Sequence, residues 1–522
     1  MSEPRSLIFN AFEMNGVGYY AQGSWTHPDS QRHRYKDLNY WVERARFLDE
    51  AGFTALFFAD VLGVYDVYRQ SPEPTIEGAV DFPLNDPFMV IPAMLAASKN
   101  LSFAVTASTT YEHPFTFARR FGTLDHLSKG RIGWNVVTSY LPNAARNYGL
   151  PDQLPHEVRY ARAEEFLTVF YKLLEGSWEE DAVLYDKTAK RYADASKVHR
   201  INHQGEHFSV QGPALTEPSV QRTPVIFQAG ASARGLAFAA RHAEVVFVNG
   251  MNLDALRINV DKLRAAAVEA GRSPEAIKVV TDLSVVTGRT QAQAEEKANA
   301  IRAAQSPEAQ YAAFGGASGF DLSRYHDDDT LTSEPHNFSR SESARFTSEK
   351  ARPDSIAAIK QRLVNLSPYA STLVGTPERI ADDIEEIVRI TGVDGFNLHE
   401  FVSPRDFSEF AEQVLPVLTA RGLFQPPQPA SSLRNRLFYQ GDRLVPLRIR
   451  QPVIAGVLQS NNNNKYNLGV IHDSICKNIY QPGGRPDFHY DNGIRRHHSG
   501  GGKPESTGEK YHPQLLRWCD SG

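Results

Sequence analysis

Apolar runs and amphipathic stretches alternate along most of the chain. Strands are predicted where short β-branched or aromatic runs lie between turn-forming residues, and helices where apolar residues recur every three or four positions. The predicted strands cover residues 7–12, 54–59, 102–108, part of 123–140, 224–228, 244–249, 277–287 and 395–399. The predicted helices cover residues 38–52, 87–99, a segment that begins at His113 and Pro114, and residues 157–175, 232–242, 253–271, 377–391 and 406–421.

This alternation predicts the fold class. About eight strand–helix pairs favour an α/β fold, a parallel (βα)8 TIM barrel, over an open doubly wound sheet. We expect one barrel domain over residues 1–424, with insertions at about residues 176–222 and 291–369. From residue 425 a proline-rich linker leads into a tail that ends at residue 522 and lacks a sustained apolar period. The tail is therefore predicted to be irregular or disordered.

Polar residues follow several predicted strands, at the end of the barrel where active sites are built. They are Asp60, Thr106 with Ser108, Thr138 with Ser139, Gln228, Asn249 and His399. Asp60 has a second interpretation, because an aspartate after a strand commonly caps the next helix. The residues after it, 61–68, do not resemble a helix start. Both interpretations of Asp60 stay open.

The stretch of residues 123–140 links a helix to a site-forming strand. A helix ends before Gly130, and a β-branched strand then carries Asn135 and Ser139 towards the same end of the barrel as Asp60. Tyr140 follows directly. Together with Tyr19 and Tyr65 it is predicted to contribute to an apolar substrate pocket at the mouth, although most such aromatic residues simply pack in the core or at the rim.

A short run of small residues, 228–235, joins a predicted strand to a helix with Ser232 at the helix start. Unpaired backbone amides and the positive end of the helix dipole make such a position suitable for phosphate. Arg159 and Tyr160, which open the long helix 157–175, offer a cation and a hydroxyl to the same phosphate. An ordinary helix cap at Ser232 explains the motif equally well.

Two other motifs point to chemistry that the context does not support. Residues 16–21 fit the G-x-G-x-x-A dinucleotide fingerprint, but the following residues 22–28 cannot form the helix that this motif requires. His199, His203 and His207 recur at a spacing that suits zinc ligands on a helix. A turn predicted around Gly205 breaks that helix. Hydrogen-bonded or surface histidines are therefore favoured, and no metal site is predicted.

Charge and cysteine usage exclude further classes. A net charge of −5 gives no basic surface of the kind that binds nucleic acid or an anionic membrane. The polar start and the lack of a long apolar run predict a cytoplasmic protein without membrane contact. Cys476 and Cys519 both lie in the tail. A cysteine nucleophile, a thiolate metal site or a disulfide is therefore not expected in the barrel.

Several motifs together resemble the bacterial-luciferase-like flavin monooxygenases, in the branch of nitrilotriacetate and dibenzothiophene-sulfone monooxygenases. They are the stretch of residues 123–140, FFAD at 57–60, NDP at 85–87, TTY at 109–111, QAG at 228–230 and DGF at 394–396. Three further motifs are more narrowly similar to long-chain alkane and dimethyl sulfide monooxygenases. They are FNAFEM at 9–14, DVLGVYDVY at 60–68 and YEHP at 111–114. The resemblance covers roughly residues 7–444.

The resemblance implies a barrel that assembles as a homodimer or homotetramer and uses reduced FMN (FMNH2) as a diffusible co-substrate. It implies a separate NAD(P)H-dependent flavin reductase, in agreement with the missing dinucleotide fingerprint. Carried over position by position, it implies cofactor contacts at Asp60, Thr106, His156, Tyr160 and Ser232. Ser139 joins this set from its place at a strand end. No catalytic side chain is identified, because the flavin supplies most of the chemistry.

The implied reaction uses O2 and a flavin hydroperoxide to insert one oxygen atom into an apolar organic substrate, such as an alkane or a thioether. The alkane-hydroxylating branch carries a cysteine and a histidine within the segment matching residues 15–20, and a histidine at the position matching Tyr140. This chain has Gly16, Tyr19 and Tyr140 there. A sulfone or aminopolycarboxylate substrate, a non-catalytic luciferase-like subunit and a deazaflavin-dependent dehydrogenase therefore remain alternatives.

Overall fold

A computed structural model describes residues 6–230, 232–332, 338, 346, 354–366, 371–427, 431–439 and 441–443. All of them fall within the unit Met1–Lys465. The predicted tail from residue 444 onward lies outside the described residues, as do parts of the predicted linker and of the second insertion.

Eight parallel strands close into a barrel, which confirms the predicted (βα)8 fold. Around the barrel the order is β6, β5, β4, β3, β2, β1, β8, β7, and β7 pairs with β6 to complete the circle. The strands are β1 (Ile8–Met14), β2 (Ala55–Ala59), β3 (Ser102–Ser108), β4 (Ile132–Val137), β5 (Val225–Gln228), β6 (Val245–Phe247), β7 (Lys278–Thr287) and β8 (Gly395–His399).

A helix follows each strand and packs against the barrel. These helices are α1 (Leu38–Glu50), α2 (Ile91–Ala97), α3 (Pro114–Ser128), α4 (His156–Gly176), α5 (Ala233–His242), α6 (Leu253–Glu269), α7 (Pro377–Thr391) and α8 (Arg405–Glu409, continued by Phe410–Val414 and Leu415–Ala420). The Phe410–Val414 stretch of α8 is a π-helix. Pro416 lies just beyond it and has no amide to donate, which accounts for the wider turn. Within the described parts of the chain, no helix is long and apolar enough to cross a membrane.

Alternate residues of β4 show how the core is divided between the two faces of the barrel wall. Trp134 points outward and packs between α3 and α4, with ring centroids 4.6 Å from Phe117 and 5.1 Å from Phe170. Gly133 points inward, where an added Cβ would lie 2.6 Å from the ring of Phe227. The glycine therefore leaves room for the aromatic layer that fills the barrel.

Both predicted insertions contain ordered elements. The first forms two antiparallel hairpins, Val183–Asp186 with Arg191–Ala193 and His203–Gln204 with Ser209–Val210. The second contains the helices Gln291–Ala304, Pro307–Ser318 and Ile356–Leu363 in its described part. The strand Ser371–Gly375 follows and pairs with the end of β7. Two short helices, Glu73–Gly78 and Pro142–Asn147, were not predicted.

A short helix, Leu433–Phe438, covers the amino-terminal end of the barrel. Its Leu433 and Leu437 are buried in a cluster with residues that begin β1, β5 and β6. Arg434 binds the buried carboxylate of Glu244 with an Nε–Oε1 distance of 2.7 Å. The domain boundary near residue 424 stays a prediction, but this helix shows that chain beyond it contributes to the body of the barrel.

Candidate functional site

Two adjacent cavities lie at the carboxyl ends of β2 to β5. The smaller has a volume of about 270 Å³, and the larger has a volume of about 610 Å³. They share part of their walls and therefore lie side by side. The shared residues are Asp60, Val61, Leu62, Val137 and Ser139.

The smaller cavity is built around the start of α5. Ser232 caps this helix, and its Oγ accepts a hydrogen bond from the amide of Gly235 at 3.0 Å. The imidazole Nε2 of His156 lies 3.4 Å from the same hydroxyl. Tyr160 lies one helical turn after His156 in α4, with 4.9 Å between the ring centroids. His156, Tyr160 and Ser232 all line this cavity.

The loop between β5 and α5 approaches Tyr160 too closely for a side chain. A Cβ added at Gly230 would lie 3.0 Å from the Tyr160 hydroxyl and 2.2 Å from Nε2 of Gln228. Gln228 is buried, and its Oε1 has no hydrogen-bond partner among the described residues. An unsatisfied acceptor is costly in a protein interior. A ligand hydroxyl in this cavity would satisfy it.

The electrostatics of the smaller cavity favour an anion. The buried side chain of Arg159 forms part of the wall. Arg234 lies in the first turn of α5, and its Nε is 3.9 Å from the carboxylate of Glu157. Helix N-termini attract negative charge through unpaired amides and the helix dipole. The hydroxyls, the guanidinium groups and the start of α5 together fit a phosphate group.

The larger cavity presents hydroxyls from β3 and from the residues after β4. Asn135 donates to the Thr106 hydroxyl at 2.9 Å, and Ser139 donates to the Ser108 hydroxyl at 2.8 Å. Asn135 Oδ1 is buried without a partner among the described residues. Ser139 adopts a left-handed backbone with φ of 55°. Such strained conformations in non-glycine residues cluster at functional sites.

Asp60 stands in the wall that the two cavities share, and the structure contradicts its interpretation as a helix cap. The next two helical elements begin after Val67 and Pro72. Burial, and to a lesser extent the nearby carboxylate of Asp86, raise the pKa of Asp60 to about 8 against the opposing hydrogen bond from the amide of Val61. An acid with this pKa is mostly protonated at neutral pH and can donate a hydrogen bond to a ligand.

The three tyrosines predicted for a substrate pocket lie in different places. Tyr140 lines the smaller cavity. Tyr65 is buried, and its hydroxyl lies 3.3 Å from that of Tyr140. Tyr19 donates to the carbonyl of Phe12 at 2.7 Å and packs against the Arg32 guanidinium. Tyr19 is not among the residues that line either cavity.

Polar residues at the other half of the barrel mouth bind one another. His399 and Tyr20 both contact the carboxylate of Asp282. Asn249 donates to the same carboxylate at 2.9 Å. The Tyr20 and His399 rings stack with centroids 3.7 Å apart. Asn249 and His399, which the sequence placed in the same layer as Asp60, therefore belong to a separate buried network.

The three histidines of the first insertion act within its hairpins. His199 binds the carboxylate of Glu179 at 2.7 Å. Glu165 accepts from His203 at 3.0 Å and from the amide of His207 at 2.9 Å. The predicted turn around Gly205 is confirmed by the hairpin that encloses it. Across the described part of the chain, no group of three or more potential ligands is placed to hold a metal ion.

Besides Asp60, the larger cavity contains four charged side chains to which the sequence motifs assigned no role in the site. They are Asp81, Asp86, Glu112 and Arg120. Arg120 and Glu112 form an ion pair at 2.7 Å. For Asp81 and Asp86 a signal was present in the chain, because the connection between β2 and α2 that contains them is far longer than most strand–helix loops. Long connections at this end of a barrel commonly carry functional residues.

Comparison with known proteins agrees with this geometry. A family model described as luciferase-like monooxygenase matches residues 18–395. The chain is 47% identical over 443 residues to a long-chain alkane monooxygenase of Geobacillus thermodenitrificans, covering 85% of this chain and 96% of that protein. It is 43% identical over 441 residues to a dimethyl-sulfide monooxygenase of Hyphomicrobium sulfonivorans, covering 84% and 91%.

A solved structure adds a cofactor to the comparison. It is a riboflavin lyase with modified FMN and its substrate riboflavin, similar to this chain with a TM-score of 0.81 and 36% identity, over 86% of this chain and 99% of that one. The family model spans well over half of the sequence, and the two monooxygenases align along almost their full length. The chain therefore belongs to the luciferase-like monooxygenase family.

Proposed function

We propose that this protein is a monooxygenase that uses FMNH2 and O2 to insert one oxygen atom into an apolar organic substrate of the alkane or thioether type. The observation that carries the proposal is the pair of adjacent cavities, one built around the helix start at Ser232 and the other lined by hydroxyls that include Thr106. This arrangement suits a flavin mononucleotide, which has a phosphate at one end and a polar ring system at the other. The similarity to alkane and dimethyl-sulfide monooxygenases supports the substrate type.

Residues of the two cavities would bind different parts of FMN. Ser232, His156 and Tyr160 would bind the phosphate at the start of α5. Asp60 and Thr106 would donate hydrogen bonds to the polar edge of the ring, and the Ser139 hydroxyl, which donates to Ser108, would accept one. Bound in this way, reduced FMN supplies the electrons that activate O2. The protein orients the reactants and excludes water, which would otherwise divert the reaction to hydrogen peroxide.

The proposal extends to partners and surroundings. A separate NAD(P)H-dependent flavin reductase would deliver FMNH2, and the protein would act as a homodimer or homotetramer in the cytoplasm. Oxygenation of an apolar substrate would suit a role in the degradation of xenobiotic compounds. The larger cavity contains more acidic than basic side chains, which disfavours an aminopolycarboxylate substrate because like charges repel.

The test is oxygen uptake with a generic flavin reductase, NADH and FMN. Substrates are supplied as matched sets of alkanes, thioethers, sulfones and aminopolycarboxylates, and products are identified by mass. We expect an increase of one oxygen atom in alkane or thioether products, and only hydrogen peroxide when substrate is omitted. Oxygenation confined to sulfones or aminopolycarboxylates would contradict the substrate assignment. Failure of the purified protein to bind reduced FMN would contradict the enzyme assignment.

A further inference from the structure

The carboxyl group of Asp81 is fixed in the wall of the larger cavity by two buried side chains. The Tyr65 hydroxyl donates to Oδ2 at 2.9 Å, and the Gln22 amide donates to Oδ1 at 3.2 Å. Asp81 also has a left-handed backbone with φ of 46°. This conformation is unfavourable for a residue with a Cβ and is retained where the surroundings require it.

Other parts of the fold hold Tyr65 in place. Gly316, in the helix Pro307–Ser318, faces the Tyr65 ring, and an added Cβ would lie 2.2 Å from its Cδ1. Thr75 donates to the backbone carbonyl of Tyr65 at 2.7 Å. An element of the second insertion therefore positions the group that orients Asp81.

The same hydroxyl connects Asp81 to the smaller cavity. Tyr65 lies 3.3 Å from the hydroxyl of Tyr140, which lines that cavity. When Asp81 is ionised, Tyr65 donates to it. When Asp81 is protonated, Tyr65 can accept from it and donate to Tyr140 instead, because a hydroxyl both donates and accepts. Both protonation states of Asp81 thus keep a hydrogen bond to Tyr65.

We propose that Asp81 is a catalytic proton donor of this site, oriented by Tyr65 and Gln22, and that it protonates the oxygen atom that leaves as water. This inference rests on the proposed function. Asp81 qualifies because it lines the cavity, has both carboxyl oxygens held and is accommodated in either protonation state. A positioned acid commonly contributes a factor of about 10² to 10⁴ to a reaction rate.

The proton balance closes within the reaction. One oxygen atom of O2 enters the substrate as the O–O bond breaks, and the other leaves as water. The two hydrogens and two electrons of that water derive from the reduced flavin. Asp81 supplies one proton as the O–O bond breaks and regains one as the oxidised flavin forms. The residue therefore ends each cycle in the form in which it began, and no further oxidant or reductant is needed.

The charges around Asp81 set its titration. Burial raises the pKa of Asp81 to about 6, against the opposing effect of the hydrogen bonds from Tyr65 and Gln22. The other charged groups of the same cavity are Asp60, Asp86, Glu112 and Arg120. Asp81 is an effective donor only when protonated. Product formation is therefore expected to fall as the pH rises through the pKa of Asp81.

The experiment compares the wild-type protein with Asp81→Asn and records product formed and O2 consumed from pH 5 to pH 9. Gln22 Oε1 has no partner among the described residues. The Gln22 amide can therefore flip and accept from the introduced amide, so the fold is expected to be kept. We expect the variant to form product about 100-fold more slowly. O2 uptake should continue as hydrogen peroxide formation, and the pH dependence through the Asp81 pKa should disappear.

Two further variants separate catalysis from structure. Asp254→Asn removes an exposed carboxylate at the start of α6, which lines neither cavity. Its product–pH curve should keep the wild-type midpoint. Tyr65→Phe removes a hydrogen bond that lowers the pKa of Asp81. Its curve should therefore move to higher pH, a shift that a purely structural role would not produce.

The outcomes are distinct. Suppose that the wild-type protein forms product and that the Asp81→Asn variant has the same rate and the same pH curve. This result would overturn the role of Asp81 and leave the proposed function intact. The same conclusion would follow if Tyr65→Phe left the midpoint in place. Absence of oxygenated product from the wild-type protein would overturn the proposed function and this inference together.

Discussion

The two halves of the barrel mouth carry similar residues and use them differently. In the open half, formed by β2 to β5, the two cavities are lined by residues that include Asp60, Thr106 and Ser232. In the closed half, on the opposite side of the mouth, Asp282 and His399 bind each other and line neither cavity. A polar residue at the end of a barrel strand is therefore not sufficient evidence of a ligand contact.

Buried atoms without partners among the described residues occur in both halves, His399 Nδ1 being one, but the central carboxylate of the Asp282 network has several side-chain partners. Asp282 accepts from the side chains of Tyr20, Asn249 and His399. In the open half, Asn135 Oδ1 and Gln228 Oε1 are buried without partners among the described residues. Buried polar atoms normally have partners, so unsatisfied ones beside a cavity indicate where a ligand completes the structure. We expect substitutions in the closed half to affect folding and those in the open half to affect binding.

The largest effect is expected from Asp282→Ala. This change removes the shared acceptor of the buried His399 and of the half-buried Tyr20 and Asn249. Leaving such groups unsatisfied is expected to cost about 3 kcal/mol in the free energy of unfolding. Urea denaturation measures this loss, and Asp282→Asn, which keeps one acceptor oxygen, should lose less. Full stability of the alanine variant would break the distinction between the two halves.

A smaller effect is expected from Asp60→Asn, because solvent in the open half screens this charge. The folded-state pKa of Asp60 is raised to about 8 from 3.8. Between these values the folded state binds more protons than the unfolded state, so Asp60 lowers stability as pH rises. The asparagine variant should therefore become more stable than the wild type, with a gap that grows from about pH 4 to pH 8. A gap that shrinks across this range would contradict the assigned environment.

The smallest effect on folding is expected from Ser232→Gly. Glycine is tolerated at a helix cap, so the unfolding free energy should fall by only a few tenths of a kcal/mol. Loss of the hydroxyl should weaken reduced FMN binding about tenfold, equivalent to about 1.4 kcal/mol. Anaerobic fluorescence titration measures the affinity. An unchanged affinity combined with a large loss of stability would assign Ser232 to the cap alone.

The sequence allowed the barrel to be predicted because its strands are short apolar runs with clear boundaries. The helix Pro377–Thr391 and the strand Gly395–His399 have the predicted bounds, since a Thr-Pro start and glycines define their limits. The helix Leu433–Phe438 was not predicted. Its apolar face consists of Leu433, Leu437 and the partly buried Phe438, too short to predict a helix from periodicity, and its stability comes from packing against the base of the barrel.

The site was harder to predict, for physical reasons that differ between residues. Ser232 and Tyr160 lie at helix starts, where local sequence indicates an anion-binding position. Asn249 and His399 lie at strand ends, as Asp60 does, and only their contact with Asp282 separates them from the cavities. Asp81 lies in a long connection without periodicity. Its role depends on contacts with Tyr65 and Gln22, distant in sequence, which local patterns do not specify.

A crystal structure of the protein with FMN tests the proposed cofactor position most directly. We expect the phosphate within hydrogen-bond distance of Ser232 and Tyr160 at the start of α5, and the ring system against Asp60 and Thr106. Flavin bound instead against the network of Asp282 and His399, or with its phosphate away from α5, would contradict the central claim that the half of the barrel formed by β2 to β5 holds the cofactor.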